Sequence, residues 1–177
     1  MKVTDTIIEG VKVIDPLVHK DLRGFVLETF QIQKYKDLLN LEFNFVQDNL
    51  SRSEYGVLRG LHFQQKKPQG KLIQVVRGEI FDVVVDIRKQ SSTFGKWFSV
   101  NLSENNHKQI WIPRGLAHGF LVLSKFADVE YKFDEFYYPE DQRCLLWNDP
   151  EVNIDWPLSA PELSDKDLKG KKLRELI

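Results

Sequence analysis

VLRGLHFQQKKPQGKLIQVVRGEIFDVVVDI, running from Val57 to Ile87, is the stretch whose reading decides the fold. Residues 72–76 and 80–87 are dominated by β-branched and other apolar side chains, and Arg77-Gly78-Glu79 joins them as a turn. Residues 57–61 read as a further strand. Just beyond them stands His62, between two cations, Arg59 and Lys71. An unperturbed imidazole titrates near pH 6.5, so modest surroundings decide whether it takes or gives a proton near neutrality. The flanking cations suit an anionic ligand. The competing reading is a hydrogen-bonded core histidine with solvated cations around it.

The same pattern continues on both sides. Upstream, residues 11–30 read as short strands broken at Asp15-Pro16 and Arg23-Gly24, with residues 25–30 the clearest. Residues 33–39 form a short helix, residues 43–49 are extended, and residues 51–56 (SRSEYG) read as a loop. Downstream, residues 91–95 are a loop, and strands are expected at 97–102, 109–112, 119–123 and 129–133. Short strands at this spacing with little helix point to an all-β sandwich or barrel rather than a parallel sheet. After Asn148 the prolines at 150, 157 and 161 forbid regular structure over much of the chain's end. The charged tail SDKDLKGKKLRELI, interrupted by Gly170, reads either as frayed or as a segment that folds Lys166-Asp167 back onto a site.

The totals bound the rest. With 177 residues, 42% hydrophobic and 29% charged, the chain is long enough for one domain with a sizeable core. A net charge of −1 gives no overall basic field for nucleic acid. The lone Cys144 forms no internal disulfide and fits a reducing compartment. No signal peptide or membrane-length apolar run is present, so the expectation is a cytoplasmic protein.

Within Trp111–Phe120, Pro113-x-Gly115-x-x-His118 makes a tight turn expected to deliver His118 at the start of a strand. It resembles the second box of the cupin superfamily of double-sheet jelly rolls. The first cupin box carries His-x-His; here the text is His62-Phe63-Gln64. A metal would have to be assembled from His62, His118 and Glu79, and that ligand count argues against one. His19 and His107 lie in polar loop text. Tyr131 and Tyr137 are either proton donors or packing, and Phe63, Phe81, Phe94, Trp97 and Trp111 are core or pocket wall. Dinucleotide, phosphate-loop and nucleophile-elbow motifs are missing.

Ten strings occur in order: RGF (23–25), FVQDN (45–49), LRGLHFQ (58–64), QGK (69–71), GEIFD (78–82), VDIR (85–88), TFGKW (93–97), WIP (111–113), AHGFLVL (117–123) and DWP (155–157). Together they resemble the dTDP-4-dehydrorhamnose 3,5-epimerases, from about Lys2 to Lys172. The resemblance implies a cupin-like jelly roll with a few short helices, built as a single domain over 1–177. Its irregular segment 149–177 would close on the site. It implies His62 as general base, Asp167 as the carboxylate that orients it, Tyr131 as proton donor, Tyr137 as a second pocket tyrosine, and no cofactor. It further implies nucleotide-sugar contacts from Arg23, Glu28, Gln47, Asp48, Asn49, Arg59, Lys71, His118 and Lys166. Two positions depart from the pattern: Phe63 replaces a common tyrosine, and Gln142 a common substrate-contacting glutamate. Family members form homodimers by exchanging N-terminal strands.

The implied chemistry is internally consistent. A C4 ketone acidifies the hydrogens on C3 and C5, so inversion runs through an enolate without a redox carrier. It needs a base, a stabilised oxyanion and an acid on the opposite face. Lys71 suits the oxyanion, and Arg23, Arg59 and Lys166 suit the diphosphate. The rivals are a C3-only epimerase, a 3,4-ketoisomerase, a metal-dependent cupin enzyme, a non-catalytic sugar-binding jelly roll and an unliganded β-sandwich.

Overall fold

The computed structural model describes residues 1–40, 42 and 44–176. It is built from two antiparallel sheets packed face to face. One has six strands: β1 (Lys2–Asp5), β2 (Lys12–Asp15), β10 (Gln109–Ile112), β7 (Lys71–Arg77), β12 (Phe126–Phe133) and β5 (Gln47–Glu54), in that spatial order. The other has five: β13 (Gln142–Cys144), β6 (Leu58–Gln64), β11 (Leu116–Val122), β8 (Glu79–Asp86) and β9 (Trp97–Ser103). A separate hairpin pairs β3 (Val18–Asp21) with β4 (Gly24–Leu27). Three short helices, α1 (Ile32–Leu39), α2 (Asp165–Leu168) and α3 (Leu173–Leu176), complete the described elements. This is the double-sheet jelly roll expected. No helix among the described residues is long and apolar enough to cross a membrane.

Period-two alternation decides what each strand presents. On β8, Ile80 and Val84 join Ile73, Val75, Ile110 and Val129 in the core between the sheets. Val83 and Val85 face the other way, against Leu61, Leu145, Val152 and Leu173. Both faces are covered, which is why β8 reads as an almost unbroken apolar run. The outer cover is the C-terminal segment. It packs back onto the sheet: Leu173 is buried and its N–H donates to the buried Asp149 Oδ2 at 2.7 Å. Leu146 N–H donates to Lys171 O, and Lys171 N–H to Cys144 O.

Three expectations need correction. Residues 51–56 are not a loop as far as Glu54; they continue β5, paired along β12 from Gln47↔Phe133 to Glu54↔Phe126. The extended segment expected from residue 43 enters a strand only at Gln47, and residue 43 lies outside the described residues. His118 is the third residue of β11, not its first, because the strand begins directly after Gly115.

Candidate active site

The inward-facing positions near one end of the sandwich change from apolar to polar, and a cavity of about 520 Å³ opens there. From the five-stranded sheet, His62 on β6 and His118 on β11 are cross-strand partners. From the six-stranded sheet, Lys71 on β7 and Tyr131 on β12 face them, with Asn49 and Ser51 of β5 alongside. The rings of His118 and Tyr131 meet edge to face with centroids 6.5 Å apart. Two glycines make this spacing possible. Gly60 has φ +127°, and a Cβ there would sit 2.5 Å from Gly119 Cα, so β6 and β11 touch backbone to backbone beside the histidines.

His62 is held from behind by the C-terminal segment. Its Nε2 lies 2.6 Å from Asp167 Oδ1, leaving Nδ1 as the second ring nitrogen. Asp167 is fixed in turn: Gly60 N–H donates to Oδ2 at 3.3 Å, and Ser164 caps α2 by accepting from the Asp167 N–H. Burial pushes the Asp167 carboxyl up, but the hydrogen bond and charge of His62, with Gly60 and Ser164, outweigh it and hold it below the usual range. A carboxylate locked against an imidazole favours one tautomer and stabilises the imidazolium. Cys144 brings a third potential ligand atom within 4.8 Å of these two. Burial, first among several causes, pushes its thiol up to about 12, so it stays protonated at neutral pH. The trio therefore fits a hydrogen-bonded dyad with a thiol neighbour better than a metal site. Glu79, the third ligand a cupin metal would need, does not line the cavity and accepts from Asn101.

Opposite His62, burial raises the pKa of the Tyr131 phenol well above its ordinary value, the Ser51 hydroxyl opposing, so it stays protonated. Its hydrogen-bond contact among the described residues is a long one, with Ser51 Oγ at 3.5 Å, which leaves it available to a ligand. Lys71 is buried; desolvation lowers its ammonium to about 8, with Asp82 opposing. An imidazole, a protonated phenol and an ammonium with a pKa of about 8 thus face one space.

The remaining expected residues divide. Asp48, Asn49, Arg59, His118, Tyr137 and Gln142 line the cavity. Arg59 is steadied by Ser53, and Asp48 by Lys132. Gln47 accepts from the Tyr137 N–H at 3.0 Å and donates to Asn49. Gln142 Oε1 accepts from both the Tyr137 hydroxyl, at 2.8 Å, and the Lys166 ammonium, so the carboxamide ties the tail to the mouth of the cavity. Phe63 lies at the rim with its ring in the outer apolar cluster. Arg23 and Glu28 are not brought to this cavity. Arg23 pairs with Asp21 within the β3–β4 hairpin and lines a separate cleft, and Glu28 pairs with Lys34. Sequence reading missed Ser51, Gln64 and Gln69 on the cavity wall and Asp82 behind it, where Asp82 Oδ2 accepts from His118 Nε2 at 2.8 Å. The signal for Asp82 was an acid set between apolar neighbours on both sides, Ile80-Phe81 and Val83–Val85, within a strand.

Comparison with known proteins gives a consistent answer. The family model described as dTDP-4-dehydrorhamnose 3,5-epimerase matches residues 5–175. The chain is 50% identical over 172 residues to the dTDP-4-dehydrorhamnose 3,5-epimerase of Pseudomonas aeruginosa, covering 97% of this chain and 95% of that one. It is 50% identical over 173 residues to the same enzyme of Methanothermobacter thermautotrophicus, covering 96% and 93%. The crystal structure of the Legionella pneumophila dTDP-6-deoxy-D-glucose-3,5-epimerase in complex with dTDP-4-keto-L-rhamnose superposes with a TM-score of 0.95 at 49% identity, covering 98% of this chain and 93% of that one. Half of all positions shared over nearly the full length, on one fold, leaves a single assignment: the chain belongs to the dTDP-4-dehydrorhamnose 3,5-epimerase family.

Proposed function

We propose that this chain is an isomerase that inverts C3 and C5 of dTDP-4-dehydro-6-deoxy-D-glucose, giving dTDP-4-dehydro-L-rhamnose for activated L-rhamnose. The observation that carries the reading is the His62–Asp167 dyad facing the protonated Tyr131 across one cavity. His62 removes the proton next to the C4 ketone, and Asp167 stabilises the imidazolium that forms. Lys71 meets the charge that moves onto the carbonyl oxygen. Tyr131 returns a proton from the other face, which is what turns exchange into inversion. Tyr137 and Gln142 hold the mouth, and Arg59 and Lys166 suit the diphosphate. The site belongs to a single cupin-like domain whose C-terminal segment, residues 149–177, closes it.

The same reading includes a homodimer. The β3–β4 hairpin lies outside both sheets and exposes Leu17, Leu22, Phe25 and Val26. An exchanged hairpin of this kind would cover that surface and carry Arg23 and Glu28 to the partner's cavity. The cytoplasm, where nucleotide-sugars are made, is the expected compartment.

The test is incubation with dTDP-4-keto-6-deoxyglucose in heavy water. Solvent deuterium at both C3 and C5 of the product is expected. Deuterium at C3 alone means a 3-epimerase, a keto group moved to C3 means a ketoisomerase, and tight binding without exchange rejects catalysis.

A further inference from the structure

Asp82 stands in the middle of β8, fully buried and turned inward, and no step described above uses it. A carboxylate in such a place is costly unless it is paired. Its Oδ2 accepts from His118, but its Oδ1 has no hydrogen-bond partner among the described residues. His118 does not balance the charge. Burial drives that imidazole towards its neutral form, against the pull of Asp82, and the positive fields of Lys71 and His62 push the same way as burial. A neutral imidazole satisfies one carboxylate oxygen and leaves the negative charge standing.

The cation that feels that charge is Lys71, on the opposite sheet and itself buried. Its ammonium donates to His62 O at 3.2 Å. Besides Asp82, the titratable groups around the pair are His62 from β6, His118 from β11, Tyr131 from β12 and, further out, Arg59. Two buried charges of opposite sign thus stand one on each sheet, and the positive one reaches the carbonyl of the residue proposed as base.

We infer that Asp82 is a positioning residue: it keeps Lys71 charged inside the cavity, so that Lys71 can meet the oxyanion that develops on the substrate. The pairing is argued from the burial of both groups on facing sheets and from the unpartnered Asp82 Oδ1, and its use in turnover rests on the epimerase reading. The sign is fixed. Lys71 carries its charge below its pKa, at about 8, and loses it as pH rises through that value. Removing an opposite charge moves a pKa by about one to three units, so Asp82→Asn is expected to shift the Lys71 titration acidward by at least about one unit. At pH 7.5 that lowers the charged fraction from about three-quarters to about one-quarter, a roughly threefold loss of kcat, with almost none at pH 6.

The experiment has two readouts. The 13Cε resonance of Lys71, assigned by its loss in Lys71→Met, is titrated without substrate in the native protein and in Asp82→Asn. The pH profile of kcat is then measured for both. A Lys71 titration that does not move overturns the proposal, and so does an alkaline limb that stays in place. A merely structural role for Asp82 would lower activity evenly across pH. Should Asp82→Asn fail to fold, Lys71→Met and Lys71→Met/Asp82→Asn carry the test. Losing the cation strands the carboxylate, so the double variant should melt above the single one; melting below it overturns the pairing. Failure of the epimerase reading shows differently, as a native chain without turnover whose Lys71 still titrates under the control of Asp82.

Discussion

Replacing Asp167 by asparagine keeps the shape of the dyad and changes only its hydrogens, which makes the outcome calculable. Two groups address the Asp167 carboxylate from different sides: His62 Nε2 at 2.6 Å on Oδ1, and the Gly60 N–H at 3.3 Å on Oδ2. An asparagine can set its carbonyl oxygen towards only one of them. With the oxygen towards Gly60, its NH2 faces His62 Nε2, which must then accept, so the ring proton moves to Nδ1. The nitrogen left for the substrate is then the protonated one and cannot act as base. With the amide reversed, the useful tautomer survives, but the Gly60 N–H meets an NH2 and is left unsatisfied, at a cost of about 1–3 kcal/mol. The unproductive placement therefore dominates. The lost charge-assisted hydrogen bond to the imidazolium adds about 1.5–3 kcal/mol to the barrier. Together these amount to roughly 2.5–6 kcal/mol, or about 10²–10⁴ in kcat. KM should hardly change, because Asp167 lies behind His62 rather than on the cavity wall. The assay is initial-rate epimerisation at pH 7.5, with circular dichroism and Tm measured on the same samples. A folded Asp167→Asn protein within tenfold of the native kcat would falsify the dyad as the source of the base.

Two further perturbations separate the remaining parts. Tyr131→Phe should cut product formation by about 10²–10⁴ while solvent deuterium still washes into unreacted substrate, since His62 can remove and return a proton on its own face; His62→Ala should stop both, and wash-in lost with the phenol alone would reverse the assignment. Gly119→Ala places a Cβ 2.6 Å from the Arg59 carbonyl oxygen and 3.1 Å from Gly60 Cα, backbone that cannot swing aside, so a loss of about 1–3 kcal/mol and a Tm several degrees lower are expected. An unchanged Tm there would show that β6 and β11 can part without cost.

How much of this was legible in the chain depended on which face a strand turns to what. Where both faces meet apolar partners, as on β8, composition alone marks the strand. On β5 the inward residues Asn49, Ser51 and Ser53 meet the polar cavity and β12, and the outward ones are mostly charged or solvated. No apolar alternation survives, and QDNLSRSE reads as a loop although it pairs along its whole length. The tail misleads for a related reason. Its composition is that of a solvated segment, yet Leu173 is buried and Asp167 reaches 105 residues back to His62. Such a contact has no local signature: composition left a fold-back of Lys166-Asp167 open, and only the resemblance to a known family named Asp167 as the partner of His62. Arg23 and Glu28 show a different limit: the resemblance marked them as substrate contacts, and they sit away from this chain's own cavity, on or beside the hairpin that the proposed homodimer would exchange.

The architecture also bears on why an inverting enzyme uses two sheets. Inversion requires that the proton leave one face of the sugar and return to the other. Groups on one sheet share a face and would reprotonate the carbon from the side that lost its proton. Here the dyad histidine belongs to the five-stranded sheet, and the phenol and the ammonium to the six-stranded one. A ring lying in the gap between the sheets would have the imidazole proposed as acceptor on one side and the phenol proposed as donor on the other. The two glycines at the β6–β11 contact and the tail behind His62 then set only the fine position of the imidazole. On this account specificity between one inverted carbon and two should respond to changes that slide the sugar along the gap, at Arg59, Tyr137 or Gln142, and not to changes in the dyad, which govern the rate at both carbons alike.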